Sequence, residues 1–462
     1  MTRITYIYNF LMLLVLHNAI TLCHETIYDV SRLSPVTVEQ VVTPSSVSEL
    51  QSIIKSTKKP ISFAGGRFSQ GGQIACPNGI VIDTTKLNAI VSCNIDQKII
   101  TVQPGTRWSQ IQEYIDPYNL SVHVMQSYNN FTVGGSLSVN VHGRDPKGSL
   151  IKTVESIKIL LADGSIVQAS REQHTDLFYA ALGGYGLLGA IVEVTLKLTD
   201  NINIERYTHS MSISEYVSYF FTQIYNNEQV IFHNANVYPN EFKKVSVITW
   251  YKTENNVTIS QRLQQPDFYI KEMIAEQLLR RISPFKHIRS LLEPKKISKK
   301  LVTYRNYEMS YSTKSLEPIM RWPSTSILQE YFVPLHALEH FLQQYKTIIQ
   351  KYNVNVLNLS IRYVPQETES ILNYAPQDSF ALVAYINVFR STEQYIEKKW
   401  TRDIINAVLS VGGTYYLPYH LYATKQQFQH AYPKLQEFLN IKQKYDPNNT
   451  FTNSLHQKYM VP

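Results

Sequence analysis

Between residues 43 and 199 the apolar positions change period at short intervals. Residues 61–64 (ISFA) are mostly apolar and run into Gly65-Gly66, and residues 99–102 (IITV) run into Pro104-Gly105, so both predict strands closed by turns. Trp108, Ile111 and Ile115 then recur at helical spacing. Residues 157–161 predict a strand, Asp163-Gly164 a hairpin turn, and residues 166–167 the returning strand. A helical stretch at 176–182 follows. Residues 190–198 alternate, with Val192, Val194, Leu196 and Leu198 on one face and Glu193, Thr195 and Lys197 on the other. Short strands interleaved with helices predict an α+β or α/β unit. Past residue 200 the strands at 245–251, 328–333, 356–364 and 380–388 are separated by helical stretches, which predicts a second domain. Residues 431–445 read as a helix ending in Asp446-Pro447.

Length and composition narrow the picture. A chain of 462 residues exceeds what one core usually serves, and 44% apolar with 17% charged residues excludes a disordered chain. Residues 10–16 (FLMLLVL) follow the lone charge of Arg3, so residues 1–23 are expected to be a signal peptide and the product to be exported. The apolar run falls short of the roughly 20 residues that span a bilayer, and the alternative to a cleaved signal is an uncleaved anchor over about residues 6–23. Cys23 falls in that segment. Cys76 and Cys93 either pair in an oxidising compartment or stay as buried thiols. No CxxC or HExxH spacing occurs, so no metal is expected. The formal charge of +8 is spread along the chain without a nucleic-acid motif, so no nucleic-acid partner is expected. In residues 279–305, nine Lys or Arg stand against Glu293, interleaved with Ile282, Phe285, Ile288, Leu291 and Leu292. That pattern suits a peripheral contact with an anionic membrane or a solvated cap helix.

Two glycine-centred loops carry the first chemical signal. AGGRFS at 64–69 and NFTVGGS at 130–136 each read as a loop after a strand, where bare backbone and the Ser69 and Ser136 hydroxyls can approach a diphosphate. The GxGxxG at 184–189 is a different matter. A dinucleotide fingerprint needs a strand before it and a helix after it, and here the order is reversed, so a nicotinamide site is rejected.

The ordered series AGGRFSQGG, TVQPGTRW, FTVGGSLSVNVHG, LLADGSIV and DLFYAALGGYGLLGAIVEVTL, with KYDPNNTFTN near the end, resembles the flavin-binding domain of the vanillyl-alcohol oxidase superfamily. The resemblance implies an α+β chain with a PCMH-type FAD-binding domain over 33–200. It also implies a substrate or cap domain with an antiparallel sheet over 201–415, and a C-terminal segment, 416–462, that returns to the flavin. It assigns Gly65, Gly66, Arg67, Phe68 and Ser69 to one FAD diphosphate loop and Thr132, Gly134, Gly135 and Ser136 to the other. Asn140, His142 and Gly143 would lie near the isoalloxazine, and Ile191 would add backbone contacts. Many relatives carry a flavin-linked histidine where Phe68 stands. A phenyl ring has no nucleophilic nitrogen, so FAD is expected to be held non-covalently.

Among subfamilies, NVHGRD and GGTYYLPYHLYATKQQF are most similar to decaprenylphosphoryl-ribose oxidases and to sugar-alcohol and aldonolactone oxidases. Those relatives carry a lysine near Tyr419 or Pro418, and this chain has none there. Arg362 matches their active-site arginine, whereas Ser360 stands where they have a glutamate. Glu330, Tyr416, Tyr419 and His420 complete the candidates. His420 is favoured as general base, because an imidazole needs little tuning to take a proton at neutral pH. The implied activity is oxidation of a CH–OH group of a polyol, aldonolactone or sugar-like small molecule, with hydride passing to flavin N5 and the electron acceptor unspecified. The alternatives are the oxidative step of a lipid-linked sugar epimerisation and a flavin-binding protein without catalysis.

Overall fold

The computed structural model describes residues 25–237, 242–265, 300–313, 324–390 and 394–461. A small parallel sheet joins Gln40–Val42, Ile80–Asp83 and Ile61–Ala64. Beside it an antiparallel sheet runs in the order Ile166–Ser170, Val154–Leu160, Ala190–Asp200, Ile99–Val102 and Ile90–Asn94, with Leu120–Val122 paired to the far end of Ala190–Asp200. These two sheets form the first half of the molecule. The chain leaves the second of them at Asp200 and enters an eight-stranded antiparallel sheet at Asn203. That sheet is ordered Leu301–Tyr304, Asn203–Ser212, Lys244–Lys252, Val230–Val237, Asn355–Val364, Ser379–Phe389, Ser324–Pro334 and Thr414–Tyr415.

Ala190–Asp200 shows why the first half holds together. Ala190 and Val192 pack with Ile61, Ile80 and Ile82 in a small core, whereas Val194, Leu196 and Leu198 belong to the main one. The strand shifts register between Ile191 and Glu193, so the change of partner coincides with a bulge. One strand thus ties both sheets together. GxGxxG sits between the helix Thr175–Ala181 and this strand, in the order that excludes a dinucleotide fingerprint.

Several expectations are corrected. The second glycine loop does not follow a named strand but opens a short helix, Val133–Ser138, because Thr132 caps it. The expected helix at 431–445 is two, Lys425–Ala431 and Leu435–Tyr445, since Pro433 cannot donate within a continuous helix. Of the two readings left open for Cys76 and Cys93, the structure gives free thiols, Cys76 buried and Cys93 partly buried. Of the basic stretch at 279–305, residues 279–299 lie outside the described residues, as does the expected signal peptide. Arg305 is no surface cation. It is buried and paired with Asp145 at 2.9 Å.

The C-terminal return is pinned by one buried pair. Lys442 Nζ donates to Asp446 Oδ2 at 2.8 Å, to Phe451 O at 2.8 Å and to Leu187 O at 2.9 Å, and Phe451 bridges to Ile61 beside the small parallel sheet. Burial pulls the Lys442 ammonium below its ordinary value and Asp446 opposes the shift. Replacing Lys442 with Met leaves Asp446 buried without its cation. The expected loss of unfolding free energy is about 3–5 kcal/mol by chemical denaturation, and a loss under about 1 kcal/mol would show that the pair does not hold the return.

Candidate active site

The first glycine loop leaves the strand Ile61–Ala64 and is turned by Arg67, whose φ is 60°. An ion pair from Arg67 to Asp83 at 2.9 Å and the packing of Phe68 on Phe131, with ring centroids 4.2 Å apart, hold that turn. Among the described residues, no protein acceptor takes the main-chain N–H groups of Gly66, Arg67, Phe68 and Ser69. Four consecutive donors without protein partners form a concavity suited to phosphate oxygens.

The second loop contributes differently. Val133 N donates to Thr106 O and Gly134 N to Pro104 O, both at 2.8 Å, and a Cβ on Gly134 would meet Pro104 at 2.6 Å. The Ser136 hydroxyl accepts from Trp108 Nε1 at 2.9 Å and faces Thr132 O and Gln126 Oε1. It is therefore not the extra phosphate donor expected. What this loop offers is Gly135, where a Cβ would meet only Thr132 Oγ1, at 3.0 Å.

Both loops, Gly184 to Ile191, and the inner face of the eight-stranded sheet line one continuous cavity. Gly65, Gly66, Arg67, Phe68, Ser69, Thr132, Gly134, Gly135, Ser136, His142 and Ile191 all line it, as do Glu330, Arg362 and Tyr419. Asn140 and Gly143 do not. Asn140 Oδ1 instead accepts from Ile151 N at 3.0 Å, and a Cβ on Gly143 would strike Met125 O at 2.1 Å, so both shape the loop that carries His142. Strand alternation brings Ser326, Leu328 and Glu330 to the cavity from Ser324–Pro334.

Glu330 is the centre of a polar cluster on the side of the cavity formed by the eight-stranded sheet. Its Oε1 lies 2.5 Å from His142 Nε2, and its Oε2 accepts from Tyr419 OH at 3.1 Å. Burial alone would raise the Glu330 carboxyl, but His142, Arg362 and the Tyr419 hydroxyl outweigh it and hold the group below its ordinary value. Burial and then Glu330 push the Tyr419 phenol well up, with Arg362 opposing, so it stays protonated. His142 Nδ1, Arg362 Nε and Gln126 Nε2 are buried and have no hydrogen-bond partner among the described residues. All three residues line the cavity.

His420 is in the wrong place for the role expected of it. It does not line the cavity, and burial lowers its pKa to about 4. The Ser31 hydroxyl donates to Asp29 Oδ1 at 2.6 Å, so His420 Nε2–H donates to Ser31 Oγ at 3.3 Å. His142, read from the sequence as a flavin contact, lines the cavity beside Glu330. Ser326, Leu328, Gln126 and Tyr385 also line the cavity without having been singled out. Ser326 and Leu328 stand four and two residues before Glu330 on one strand, so strand geometry alone places them on its face.

Comparison with known proteins agrees with this geometry. A model described as an FAD binding domain matches residues 38–170, and one described as D-arabinono-1,4-lactone oxidase matches residues 194–459. The chain is 25% identical to the L-gulonolactone oxidase of Bos taurus over 207 residues, 43% of this chain and 47% of that protein. It is 31% identical to the FAD-dependent monooxygenase yanF of Aspergillus niger over 173 residues, 36% of this chain and 29% of that one. It is also 29% identical to the decaprenylphosphoryl-beta-D-ribose oxidase of Mycolicibacterium smegmatis over 174 residues, 35% and 38% of the two chains. Each match spans less than half the relative's length.

The unpartnered N–H groups of the first loop and the open face at Gly135 fit FAD, and Phe68 offers no atom for a covalent link. Acid precipitation is expected to release all flavin into the supernatant. Yellow colour in the washed pellet would contradict that. Gly135→Val is expected to purify colourless with an unchanged far-UV circular dichroism spectrum, because the side chain projects into the cavity. Full flavin occupancy in this variant would remove Gly135 from the binding surface.

Proposed function

We propose that this chain, which belongs to the D-arabinono-1,4-lactone oxidase family, is a FAD-dependent oxidoreductase that oxidises a CH–OH group of a polyol, aldonolactone or sugar-like substrate. The observation that carries the reading is the set of Glu330, His142, Tyr419 and Arg362 at one end of the FAD cavity. Bound FAD supplies the hydride acceptor. The protein's part is to take the hydroxyl proton and to steady the alkoxide.

His142 is the base in this reading. Glu330, held ionised, accepts from Nε2–H and so fixes the tautomer that leaves Nδ1 with a free lone pair in the cavity. The same carboxylate stabilises the positive charge that the ring gains with the proton, as in other carboxylate–histidine pairs. Arg362 projects from Asn355–Val364 with its Nε unpartnered, and steadies the alkoxide. Tyr419 keeps its proton and orients Glu330. The missing lysines are not required for these steps.

Anaerobic flavin bleaching against polyols, lactones and sugars tests the reading. With a substrate in hand, His142→Gln is expected to slow flavin reduction by roughly 10²- to 10⁴-fold, and Arg362→Ala by about a hundredfold. His420→Ala should change it less than about tenfold, since the general-base contribution is absent there. A full general-base loss in His420→Ala, with His142→Gln unaffected, would reverse the assignment. A yellow protein that no member of the panel bleaches would favour a flavin-binding protein without catalysis.

A further inference from the structure

Residues 29–32 lie against the flavin loop and have no role in the chemistry above. Asp29 is 4% exposed, and no cation pairs with it among the described residues. Its carboxylate is instead filled by hydroxyl and main-chain donors. Oδ1 accepts from Ser31 N at 2.8 Å, Ser31 Oγ at 2.6 Å and Arg32 N at 2.9 Å, while Oδ2 accepts from Gly71 N at 3.1 Å. Next to it, Val30 N donates to Arg67 O at 3.1 Å, and Val30 itself lines the FAD cavity. Ser31 O accepts from Thr325 Oγ1 at 3.2 Å, and Arg32 O from Arg390 Nη2 at 2.9 Å. The segment therefore reaches the first glycine loop on one side and the eight-stranded sheet on the other.

The far end of that loop is held separately. Gln70 N donates to Pro418 O at 2.6 Å, and Gln73 Nε2 to Leu417 O and Tyr419 O, both at 2.7 Å. Among the described residues, the N-terminal segment meets this loop through the Asp29–Gly71 and Val30–Arg67 bonds. Gly71 has a φ of 143°, which an L side chain rarely adopts, and its N–H donates to the buried Asp29 carboxylate.

We propose that Asp29 is a positioning residue for the flavin: by accepting from Gly71 N it holds residues 66–69 in the shape that turns their N–H groups toward the diphosphate. Asp29 does not touch the cofactor. It acts through the loop, and the N-terminal segment is the third wall of the cradle. This rests on FAD binding and is independent of the substrate and of the identity of the base.

Asp29→Asn is the discriminating change. The amide keeps one oxygen for Ser31 and Arg32 but turns an NH₂ toward Gly71 N–H, setting donor against donor. The dissociation constant for FAD, measured by fluorescence quenching on apoprotein, is expected to rise on the order of ten- to a hundredfold, as for loss of a hydrogen bond to a charged group. The melting temperature of the apoprotein should stay near wild type, a split that a merely structural role would not give. Ser31→Ala removes the hydroxyl donor to Asp29 Oδ1 and the His420 contact but leaves the Gly71 bond to Oδ2, and should bind FAD as wild type does. An Asp29→Asn constant within twofold of wild type overturns the proposal. Hydrogen exchange on the wild-type protein gives a second test that needs no variant. FAD should slow exchange in residues 25–33 together with 66–71, because coupling between two parts of one site is reciprocal. Protection confined to 66–71 would also overturn it. A wild-type protein that takes up no FAD would overturn the cofactor assignment itself, and this proposal with it.

Discussion

A carboxylate removed from water must be met by charge and hydrogen bonds, and Glu330 sets that requirement for the whole site. Its partners come from three parts of the chain: His142 from the flavin-binding half, Tyr419 from the C-terminal return and Arg362 from the eight-stranded sheet. None of these segments can shift alone without uncovering the charge. The neighbours of His142 carry the same logic outward. Arg144 pairs with Glu308 at 2.5 Å and Asp145 with Arg305 at 2.9 Å, and both guanidinium groups sit over the Phe232 ring. The HGRD stretch thus presents a histidine to the cavity and anchors itself to the facing half with its last two residues, Arg144 and Asp145.

The FAD end is built on a division of work between its two glycine loops. In the first, the main chain is turned by a positive φ at Arg67 and its N–H groups are left for the ligand. In the second, N–H groups are taken up by the protein and the bare surface of Gly135 allows close approach. The glycine-rich turn at 183–189 adds a wall whose position is fixed from behind, since Leu187 O accepts from Lys442 and Tyr185 O from Asn453. Lys442, held by Asp446 of KYDPNNTFTN, and Asn453 at the end of that motif therefore clamp a wall of the flavin cavity, although they lie far along the chain.

Much of the fold was legible because its signals are local. Period two in residues 190–198, glycine after 61–64 and helical spacing from Trp108 each follow from neighbours in sequence, and each element appears where expected. The flavin loops were legible as an ordered series of motifs. Two kinds of information were not local. Whether Ser136 has a free hydroxyl depends on Trp108, 28 residues away, and whether Asn140 meets the cofactor depends on Ile151 and Tyr374. The choice between His142 and His420 depends on which ring faces the cavity, and neither spacing nor residue type records that.

The sheet register also bears on the glutamate that Ser360 replaces. Ser360 pairs with Val383, and Val383 pairs with Glu330, so the three side chains project from one face of adjoining strands. Arg362, Ala381 and Phe332 form the next row on that face. Glu330 and Arg362 are thus two strands and one row apart, close enough for the guanidinium to help hold the carboxylate ionised. In the proposed reading the site has not lost a carboxylate but draws it from another strand of the same sheet. The change has a chemical consequence. A glutamate at 360 would share a strand with Arg362, whereas Glu330 reaches across to the flavin-binding half and takes His142 as its partner. In that reading the acid is coupled to an imidazole, which supplies a proton acceptor where the resembled relatives carry a lysine.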